Sequence, residues 1–344
     1  MHRGVAKFYK EVMNGSAITA CMSIDMRTVG ASELKIAPLA LGGNVFGWTA
    51  DEKASFAILD AFVDAGGNMI DTADVYSNWA PGHQGGESET VIGNWLKRNP
   101  AKRDKVVIAT KVGFLDGKIV DGDWVAALQP EVIARACEAS LRRLGTDHLD
   151  LYYHHKDNPA IPLADSLGAM DALVKAGKVR EVGLSQYSAE RVGEAMHVAE
   201  TNQLKRPCAL QTWYNLVERP KLEGPLRDVA LANNLGIIPF YGLANGFLTG
   251  KYRSTADLAK STRGNRVKDY LEGTGMRVLA ALDQVSAETG APLAAVAVAW
   301  TNAQPGITAT LASATSVEQL SELTASMHLK LTPEQVSLLD EASA

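Results

Sequence analysis

The sequence of 344 residues predicts a single (β/α)8 barrel, and three observations lead to this fold class. Eight short apolar runs rich in β-branched residues alternate with amphipathic helical stretches along the chain. No linker rich in Pro, Ser or Gly separates these units, which favours one domain over two. Polar and aromatic residues stand where the apolar runs end, and a barrel collects its chemistry at the carboxyl ends of its strands.

The predicted strands are spaced so that one helix fits between each pair. They cover residues 36–42, 67–71, 105–111, 148–155, 178–185, 208–211, 236–241 and 306–312. The alternative arrangement of such units is an open, doubly wound sheet. The first strand-to-helix turn, ALGGNVFGW at residues 40–48, lacks the G-x-G-x-x-G fingerprint of a dinucleotide-binding Rossmann unit, so the closed barrel is favoured.

The intervals between the predicted strands show helical periodicity and residues that end helices. Thr49 and Glu52 have the spacing of a capping box ahead of the first helix, and the pair Gly66-Gly67 ends it. Two extra helices are predicted at residues 276–290 and 332–343. The connections at residues 112–129 and 251–275 are long for a compact domain, which indicates functional or mobile segments.

Composition restricts the classes of function. A net charge of −5 and a pI near 5.8 give no basic footprint for nucleic acid, and no run of about eighteen apolar residues predicts a membrane span. The three cysteines are scattered, which favours free thiols in a reducing cytoplasm over a disulfide framework. We therefore expect a protein that acts on a small molecule, and we assign no metal ligands.

The amino-terminal segment reads differently from the rest of the chain. Residues 1–30 are predicted to be a loosely ordered extension, and residues 31–344 form the barrel. The segment is not predicted to be a secretory signal, because Lys10, Glu11 and Asn14 interrupt the apolar stretch that such a signal needs.

Six side chains stand at or just past the ends of successive predicted strands. They are Asp71, Lys111, His155, Ser185, Gln211 and Phe240. In a barrel these positions surround one mouth, so separate parts of the sequence converge on one site.

Four residues near that mouth suit the protonation of a carbonyl oxygen. Tyr76 could act as the acid, because an adjacent ammonium at Lys111 would lower the pKa of a phenol. Asp71 would keep Lys111 charged, and His155 could hydrogen-bond the same carbonyl oxygen. Each also has a structural interpretation, since Asp71 could be a turn residue and Lys111 could be solvated. Strand alternation turns His154 to the opposite face, where it would pack beneath a helix.

The sequence resembles the aldo-keto reductase family over residues 27–340. The resemblance rests on motifs that occur in family order: DTADVYS, GGESETVIGNWLK, IATKVG, LDLYYHHKDNP, VREVGLSQYS, LQTWYNLVERP, PFYGLANGFLTGKYR and SATSVEQL. It implies that Tyr76 is the general acid, that Asp71 and Lys111 modulate it, and that His155 orients the carbonyl. It also implies a reduced nicotinamide nucleotide as the hydride donor and a small aldehyde, ketone or alcohol as the substrate.

The resemblance also implies a cofactor site, with NADP(H) favoured and NAD(H) as the alternative. The residues concerned are Gly43, Asn44, Ser185, Gln186, Gln211, Phe240, Tyr241, Leu243, Gly246, Lys251, Ser313, Thr315, Gln319 and Glu322. Ser185, Gln186 and Gln211 would meet the carboxamide of the nicotinamide, and Phe240 would stack on its ring. The loop LANGFLTGK at residues 243–251 would cover the pyrophosphate, with glycines that let the backbone come close and the positive charge of Lys251. The family commonly has Asn where this chain has Gln186, and it has Arg or Lys where Ser313, Thr315 and Gln319 would face the 2′-phosphate. Arg266 or Lys268 in the long loop is an alternative source of that charge.

The substrate is less well specified by the sequence. Trp48, Trp79 and Trp124 fall in loops that would overhang the mouth, where they could line an apolar pocket or anchor their own loops. Aldehydes, ketones and the carbonyl form of a sugar-like or polycyclic compound all fit. Two other functions remain open: a Schiff-base aldolase that uses Lys111, and a nucleotide-sensing regulatory subunit similar to the β subunits of potassium channels.

Overall fold

The structure is a computed structural model that describes residues 24–120, 123–260 and 264–344. Its strands are β1 (Arg27–Thr28), β2 (Lys35–Ile36), β3 (Leu39–Gly42), β4 (Met69–Asp71), β5 (Val107–Val112), β6 (Lys118–Val120), β7 (Asp123–Val125), β8 (Leu149–His154), β9 (Val179–Ser185), β10 (Ala209–Gln211), β11 (Gly236–Ile237) and β12 (Thr310–Ala312). Seven of these strands lie within stretches predicted from the sequence, and β5 extends one residue beyond the predicted end at residue 111.

The eight predicted strands form one parallel sheet that curls into a barrel. Its order is β11-β10-β9-β8-β5-β4-β3-β12. The ends of the sheet meet, because Thr308 N donates to the carbonyl of Ile237 at 2.8 Å and Leu311 N donates to the carbonyl of Pro239 at 2.9 Å. The predicted (β/α)8 class is therefore confirmed.

Helices surround the sheet in the described part of the chain. They are α1 (Glu52–Asp64), α2 (Glu87–Arg98), α3 (Pro130–Leu144), α4 (Leu163–Lys175), α5 (Ala189–Thr201), α6 (Pro225–Ala232), α7 (Thr274–Thr289), α8 (Leu293–Ala303), α9 (Val317–Thr324) and α10 (Pro333–Ala342). α7 and α10 confirm the two extra helices predicted near the carboxyl terminus. None of the described helices has the length and apolar character needed to cross a membrane.

The predicted capping box of α1 is wrong. Asp51, and not Thr49, caps the helix, because its extended backbone lets Oδ1 accept from the amide of Ala54 at 2.8 Å. Ala50 pairs with Phe46 in a β-bridge, which holds the chain at Thr49 outside the helix. Asp caps a helix as well as Thr does, so the spacing of Thr49 and Glu52 was a coincidence.

Two hairpins add to the barrel. β1 pairs with β2, so ordered structure begins before residue 31, the boundary suggested by the sequence. Residues 1–23 of the predicted extension lie outside the described residues. β6 pairs with β7 inside the long connection at residues 112–129. The dipeptide Asp121-Gly122, which follows Ile119 and Val120, is the sequence signal for a hairpin here.

The second long connection, residues 251–275, contains 3-10 turns at Thr255–Lys260 and Gly264–Leu271. Its start is fixed to α7 by a bidentate ion pair, in which Arg253 Nη1 and Nη2 contact the carboxylate of Asp283 at 2.7 and 2.8 Å. Its end is fixed by Tyr270, whose hydroxyl donates to Glu218 at 2.6 Å. The segment is therefore tied to the barrel at both ends.

Strand alternation decides which side chains fill the barrel and which face the helices. Leu151 and Tyr153 of β8 pack inside with Met69 and Ala109 of the neighbouring strands. Tyr152, between them in sequence, packs with the outer helices. The interior is filled by side chains, so the open space for a ligand is at the mouth.

Candidate active site

A buried ion pair lies at the mouth. Asp71 ends β4 with no exposed surface, and Lys111, near the end of β5, is 1% exposed. Lys111 Nζ donates to Asp71 Oδ1 and also to the carbonyl of Thr72 at 2.8 Å. Burial alone would lower the pKa of Lys111, but the charge and hydrogen bond of Asp71, together with Tyr76, raise it. Lys111 is therefore held as an ammonium.

Gln211 completes the hydrogen bonding of Asp71. At the end of β10, its Nε2 donates to Asp71 Oδ2 at 2.6 Å. Both carboxylate oxygens of Asp71 thus accept from buried donors, which compensates the cost of burying the charge. Gln211 therefore orients the carboxylate that orients Lys111.

Tyr76 lies next to this pair. Lys111 Nζ donates to its hydroxyl oxygen at 3.1 Å and lies 4.8 Å from its ring centroid. The sequence led us to expect a lowered pKa for this phenol, and that expectation is wrong for the free protein. Burial raises the pKa of Tyr76 to about 12, and the opposing effect of Lys111 is smaller. At neutral pH the phenol keeps its proton and can donate it.

The loop that carries Tyr76 is held by hydrogen bonds to other parts of the mouth. Ser77, with φ of 75°, donates through Oγ to the carbonyl of Phe46 at 2.9 Å. The hydroxyls of Thr72 and Ser88 are 2.8 Å apart, and Ser88 also donates to the carbonyl of Gly43. The left-handed conformation of Ser77 is strained for a residue other than glycine, and such strain is typical of functional loops.

His155 follows β8 and faces the phenol. Its ring centroid is 5.8 Å from that of Tyr76, and Phe114 stacks on it at 4.2 Å. Burial, followed by the charge of Lys111, holds the pKa of His155 well below its usual value. The imidazole is therefore neutral at pH 7, with one N–H to donate and one nitrogen to accept.

His154 points away from the mouth, as strand alternation predicted. It has no exposed surface, and its Nδ1 is 2.9 Å from the hydroxyl of Tyr187. Burial lowers the pKa of His154 from 6.5 to about 4. His154 therefore has a structural place between the sheet and the helices.

The lowered pKa of His154 predicts a pH-dependent stability. Between its folded and unfolded pKa values the unfolded chain binds more protons, so the free energy of unfolding falls as the pH drops from about 6.5 towards 4. At pH 5 this one group should cost about 2 kcal/mol relative to pH 7. Urea unfolding at both pH values should show a smaller loss for His154→Gln than for wild type. An equal loss in both proteins would contradict the assignment.

The residues assigned to the nicotinamide lie on neighbouring strands. Ser185 and Gln211 are paired in register at the ends of β9 and β10. Gln186 has a left-handed φ of 55°, and its Nε2 donates to the carbonyl of His155 at 2.9 Å. Phe240 lies three residues past the end of β11, which is shorter than predicted, and a β-bridge to Trp213 holds it beside the mouth.

The loop assigned to the pyrophosphate has an unusual backbone. Five residues between positions 241 and 251 have positive φ: Tyr241 (57°), Ala244 (47°), Asn245 (57°), Gly246 (89°) and Gly250 (77°). Leu243 is half-buried at the start of the turn, and Lys251 is exposed with Nζ 5.1 Å from the ring of Tyr252. Gly246 has a φ of 89°, which residues with a Cβ rarely adopt, so the backbone conformation favours glycine at this position beside Lys251.

The residues assigned to the adenosine end collect around β12 and the start of α9. Ser313 Oγ donates to Asn44 Oδ1 at 2.6 Å, which joins the loop after β3 to the end of β12. The amide and hydroxyl of Thr315 donate to Gln319 Oε1 at 3.0 and 3.1 Å. Glu322 and Gln319 are exposed on α9. No hydrogen bond or ion pair described for the structure brings Arg266 or Lys268 to these residues.

Trp48 and Trp79 pack together next to Tyr76. Their rings meet edge to face at 5.6 Å, and Trp79 contacts Tyr76 at 6.1 Å. The side chain of Trp124 lies outside the described residues, although its backbone belongs to β7.

Three residues at the site were not singled out from the sequence. Phe114 covers His155, and Trp213 packs on Tyr241 at 4.4 Å. Both are aromatic residues within three positions of a predicted strand end, and this position could have indicated from sequence that they lie at the site. Asp74 is 1% exposed, and burial followed by the charge of Glu89 raises its pKa well above the usual value. Nothing in the DTADVYS motif indicates from sequence that burial raises the pKa of this carboxyl.

Comparison with known proteins agrees with this geometry. The model of the Aldo/keto reductase family matches residues 38–344. The chain is 31% identical to "Aldo-keto reductase AMT2" of Alternaria alternata, covering 92% of this chain and 90% of that protein. It is 31% identical to "Protein tas" of Escherichia coli, with 90% and 94% covered. It is also 30% identical to "Probable voltage-gated potassium channel subunit beta" of rice, with 91% and 95% covered.

These matches cover nearly the whole barrel, and the chain belongs to the aldo/keto reductase family. Family membership supports an oxidoreductase activity.

Proposed function

We propose that the protein reduces an aldehyde or ketone to an alcohol, or catalyses the reverse oxidation, with Tyr76 as the proton donor to the carbonyl oxygen. The observation that carries this proposal is the hydrogen-bonded chain Gln211–Asp71–Lys111–Tyr76, whose first three members are buried, with neutral His155 facing the phenol. A reduced nicotinamide nucleotide bound at the mouth would supply the hydride.

The roles of Tyr76, Lys111 and His155 in the proposed reaction follow from their charges. Tyr76 holds a proton at neutral pH, because burial raises its pKa. As negative charge develops on the carbonyl oxygen, Tyr76 releases that proton, and the ammonium of Lys111 at 3.1 Å stabilises the phenolate that remains. Neutral His155 can donate an N–H to the same oxygen, which fixes the carbonyl relative to the phenol.

The mouth fits a nicotinamide nucleotide in two respects. Trp213 Nε1 and Asn245 Oδ1 are buried polar atoms without a hydrogen-bond partner among the described residues, so the site offers hydrogen-bonding groups that a ligand could use. The backbone around Ala244 and Gly246 is held in a left-handed form beside Lys251, and the ammonium of Lys251 suits a pyrophosphate. Ser185, Gln186, Gln211 and Phe240 would hold the nicotinamide end.

The first test is a titration of the purified protein with NADPH and NADH in parallel, following the quenching of tryptophan fluorescence. Binding of either nucleotide supports the proposal, and we favour NADP(H). Binding of neither would remove the hydride donor and contradict it.

A substitution at Thr315 tests which residues recognise the 2′-phosphate at the adenosine end of the nucleotide. Thr315→Arg would place a guanidinium two residues before the start of α9, where Thr315 now bonds Gln319, so we expect a higher ratio of NADPH to NADH affinity, by about 10-fold or more. Val317→Arg adds the same charge at the exposed first residue of α9 and serves as the control. An unchanged ratio of NADPH to NADH affinity in Thr315→Arg would show that other residues recognise the 2′-phosphate.

Two other functions are distinguishable from the proposed one. A Schiff-base lysine must be a neutral amine, whereas the pKa of Lys111 is raised by Asp71 and Tyr76 despite burial. A regulatory, nucleotide-sensing role is favoured by the relatives named as potassium channel β subunits. Tight nucleotide binding with negligible turnover of many carbonyls would support that role.

The compartment is also part of the proposal. Cys137 and Cys208 are buried free thiols, and burial raises the pKa of each to about 12. Such thiols suit a reducing environment, and we propose the cytoplasm.

A further inference from the structure

Ser77, the neighbour of the proposed proton donor, joins two loops at the mouth. It lies in the loop between β4 and α2, has no exposed surface, and donates through Oγ to the carbonyl of Phe46 in the loop between β3 and α1, at 2.9 Å. Its own carbonyl accepts from the amide of Ala80 at 3.0 Å. Because the side chain of Ser77 is closed to solvent, it cannot reach a substrate in the mouth, and any effect that it has on the reaction passes through Tyr76.

The segment from Asp71 to Ser77, which carries Tyr76, is held at both ends by the loop between β3 and α1. At the start of the segment, the amide of Gly43 donates to the carbonyl of Asp71 at 2.7 Å. At its end, Ser77 donates to Phe46. Phe46 is itself fixed, because its amide donates to the carbonyl of Gly43 at 2.9 Å. The loop therefore braces the segment, and the hydroxyl of Ser77 makes the contact at the end next to Tyr76.

The backbone of Ser77 shows what its side chain adds. Its φ of 75° is unfavourable for a residue with a Cβ, whereas glycine adopts this conformation freely. Glycine would therefore form the same turn without strain, but it has no hydroxyl to donate to Phe46. The hydrogen bond of Ser77 is thus an addition that the turn itself does not require.

We propose that Ser77 is a positioning residue for the proton donor, because its hydrogen bond to Phe46 holds the phenol of Tyr76 where it meets both Lys111 and the carbonyl oxygen of a substrate. This inference rests on the proposed function. Neighbouring Cα atoms are only about 3.8 Å apart, so a shift of Ser77 is passed on to Tyr76. A proton donor must lie within about 2.6–3.2 Å of the oxygen that it protonates, and a displacement of about 1 Å can slow a reaction by up to about 100-fold.

A positioning role separates the reaction rate from binding and from stability. Ser77→Ala removes the hydroxyl and keeps the unfavourable φ, so both the reaction rate and the urea midpoint should fall. Ser77→Gly removes the same hydroxyl but relieves the backbone, so its urea midpoint should exceed that of Ser77→Ala while its reaction rate stays as low. Since Ser77 touches neither ligand, both variants should bind nucleotide and aldehyde as wild type does.

The test compares wild type, Ser77→Ala, Ser77→Gly and Ser326→Ala. For each protein we would measure the single-turnover rate of benzaldehyde reduction at saturating aldehyde, the aldehyde concentration that gives half of that rate, the nucleotide affinity and the urea midpoint. Ser326 is the matched control, because it is 3% exposed and its Oγ donates to the carbonyl of Leu323 at 2.6 Å, in the turn that follows α9. Ser326→Ala should lower the urea midpoint and leave the single-turnover rate unchanged.

We expect the single-turnover rate to fall about 10-fold in both Ser77 variants, with both affinities close to those of wild type. A wild-type rate in Ser77→Gly would overturn the inference and leave the proposed function intact. A rate that follows the urea midpoint across the four proteins, or a loss confined to the affinities, would also overturn it.

If wild type reduces no carbonyl compound, the proposed function fails, and hydrogen exchange then tests the brace separately. Exchange of the amides of residues 72–80 is compared between wild type and Ser77→Gly, after correction for the intrinsic rate of each sequence. Faster exchange in Ser77→Gly would show that the hydroxyl of Ser77 holds this segment. Equal exchange in the two proteins would overturn the inference.

Discussion

Replacing Tyr76 with phenylalanine should lower kcat for carbonyl reduction by about 10²- to 10⁴-fold, the usual contribution of a positioned acid. The substitution removes one oxygen and keeps the ring that contacts Trp79 and His155. Nucleotide affinity should therefore stay close to that of wild type. The measurement is steady-state turnover with benzaldehyde alongside a fluorescence titration with the nucleotide.

Tyr152→Phe is the matched control for this prediction. It makes the same chemical change on β8, but Tyr152 is fully buried and packs with the outer helices. Its hydroxyl has no partner among the described residues, so the protein should keep its turnover and its fold. Turnover retained in Tyr76→Phe would show that another group, or water, supplies the proton.

Lys111→Met should reduce both turnover and stability. Turnover should fall by at least about 10²-fold, because the phenolate left on Tyr76 loses its ammonium. Stability should fall by roughly 3–5 kcal/mol, because the carboxylate of Asp71 would remain buried with one of its two donors removed. The measurements are turnover and urea unfolding.

The double variant Asp71→Asn with Lys111→Met separates the two effects. Asparagine carries no charge to bury, so much of the lost stability should return, while turnover should remain low because the ammonium is still missing. Recovery of turnover together with stability would mean that Lys111 serves the fold alone.

The fold was readable from the sequence because each barrel strand carries its own local signal. Runs such as KVVIATK and HLDLYYHH are apolar and β-branched or aromatic, and alternation within the second correctly separates His155 from His154. The cap of α1 was not readable, since Asp51 and Thr49 are both good caps and only the β-bridge of Ala50 decides between them.

The sequence indicated which side chains lie close together at the mouth better than it indicated their pKa values. Convergence of strand ends brought Asp71, Lys111 and His155 together, because parallel strands end at one edge of the barrel. The raised pKa of Tyr76 could not be predicted, because it depends on how deeply the loop buries the phenol. The contact of Gln211 with Asp71 joins residues 140 positions apart, and only the barrel brings them together.

The central claim is that this barrel transfers a hydride and a proton to a carbonyl group. A single-turnover experiment tests it most directly: wild-type protein loaded with one equivalent of NADPH or NADH is mixed with benzaldehyde, and nicotinamide absorbance and benzyl alcohol are followed together. We predict loss of the reduced nucleotide matched by an equal amount of alcohol. Nucleotide that stays bound and reduced, with no alcohol formed from benzaldehyde or propanal, would contradict the claim and favour a nucleotide-sensing protein.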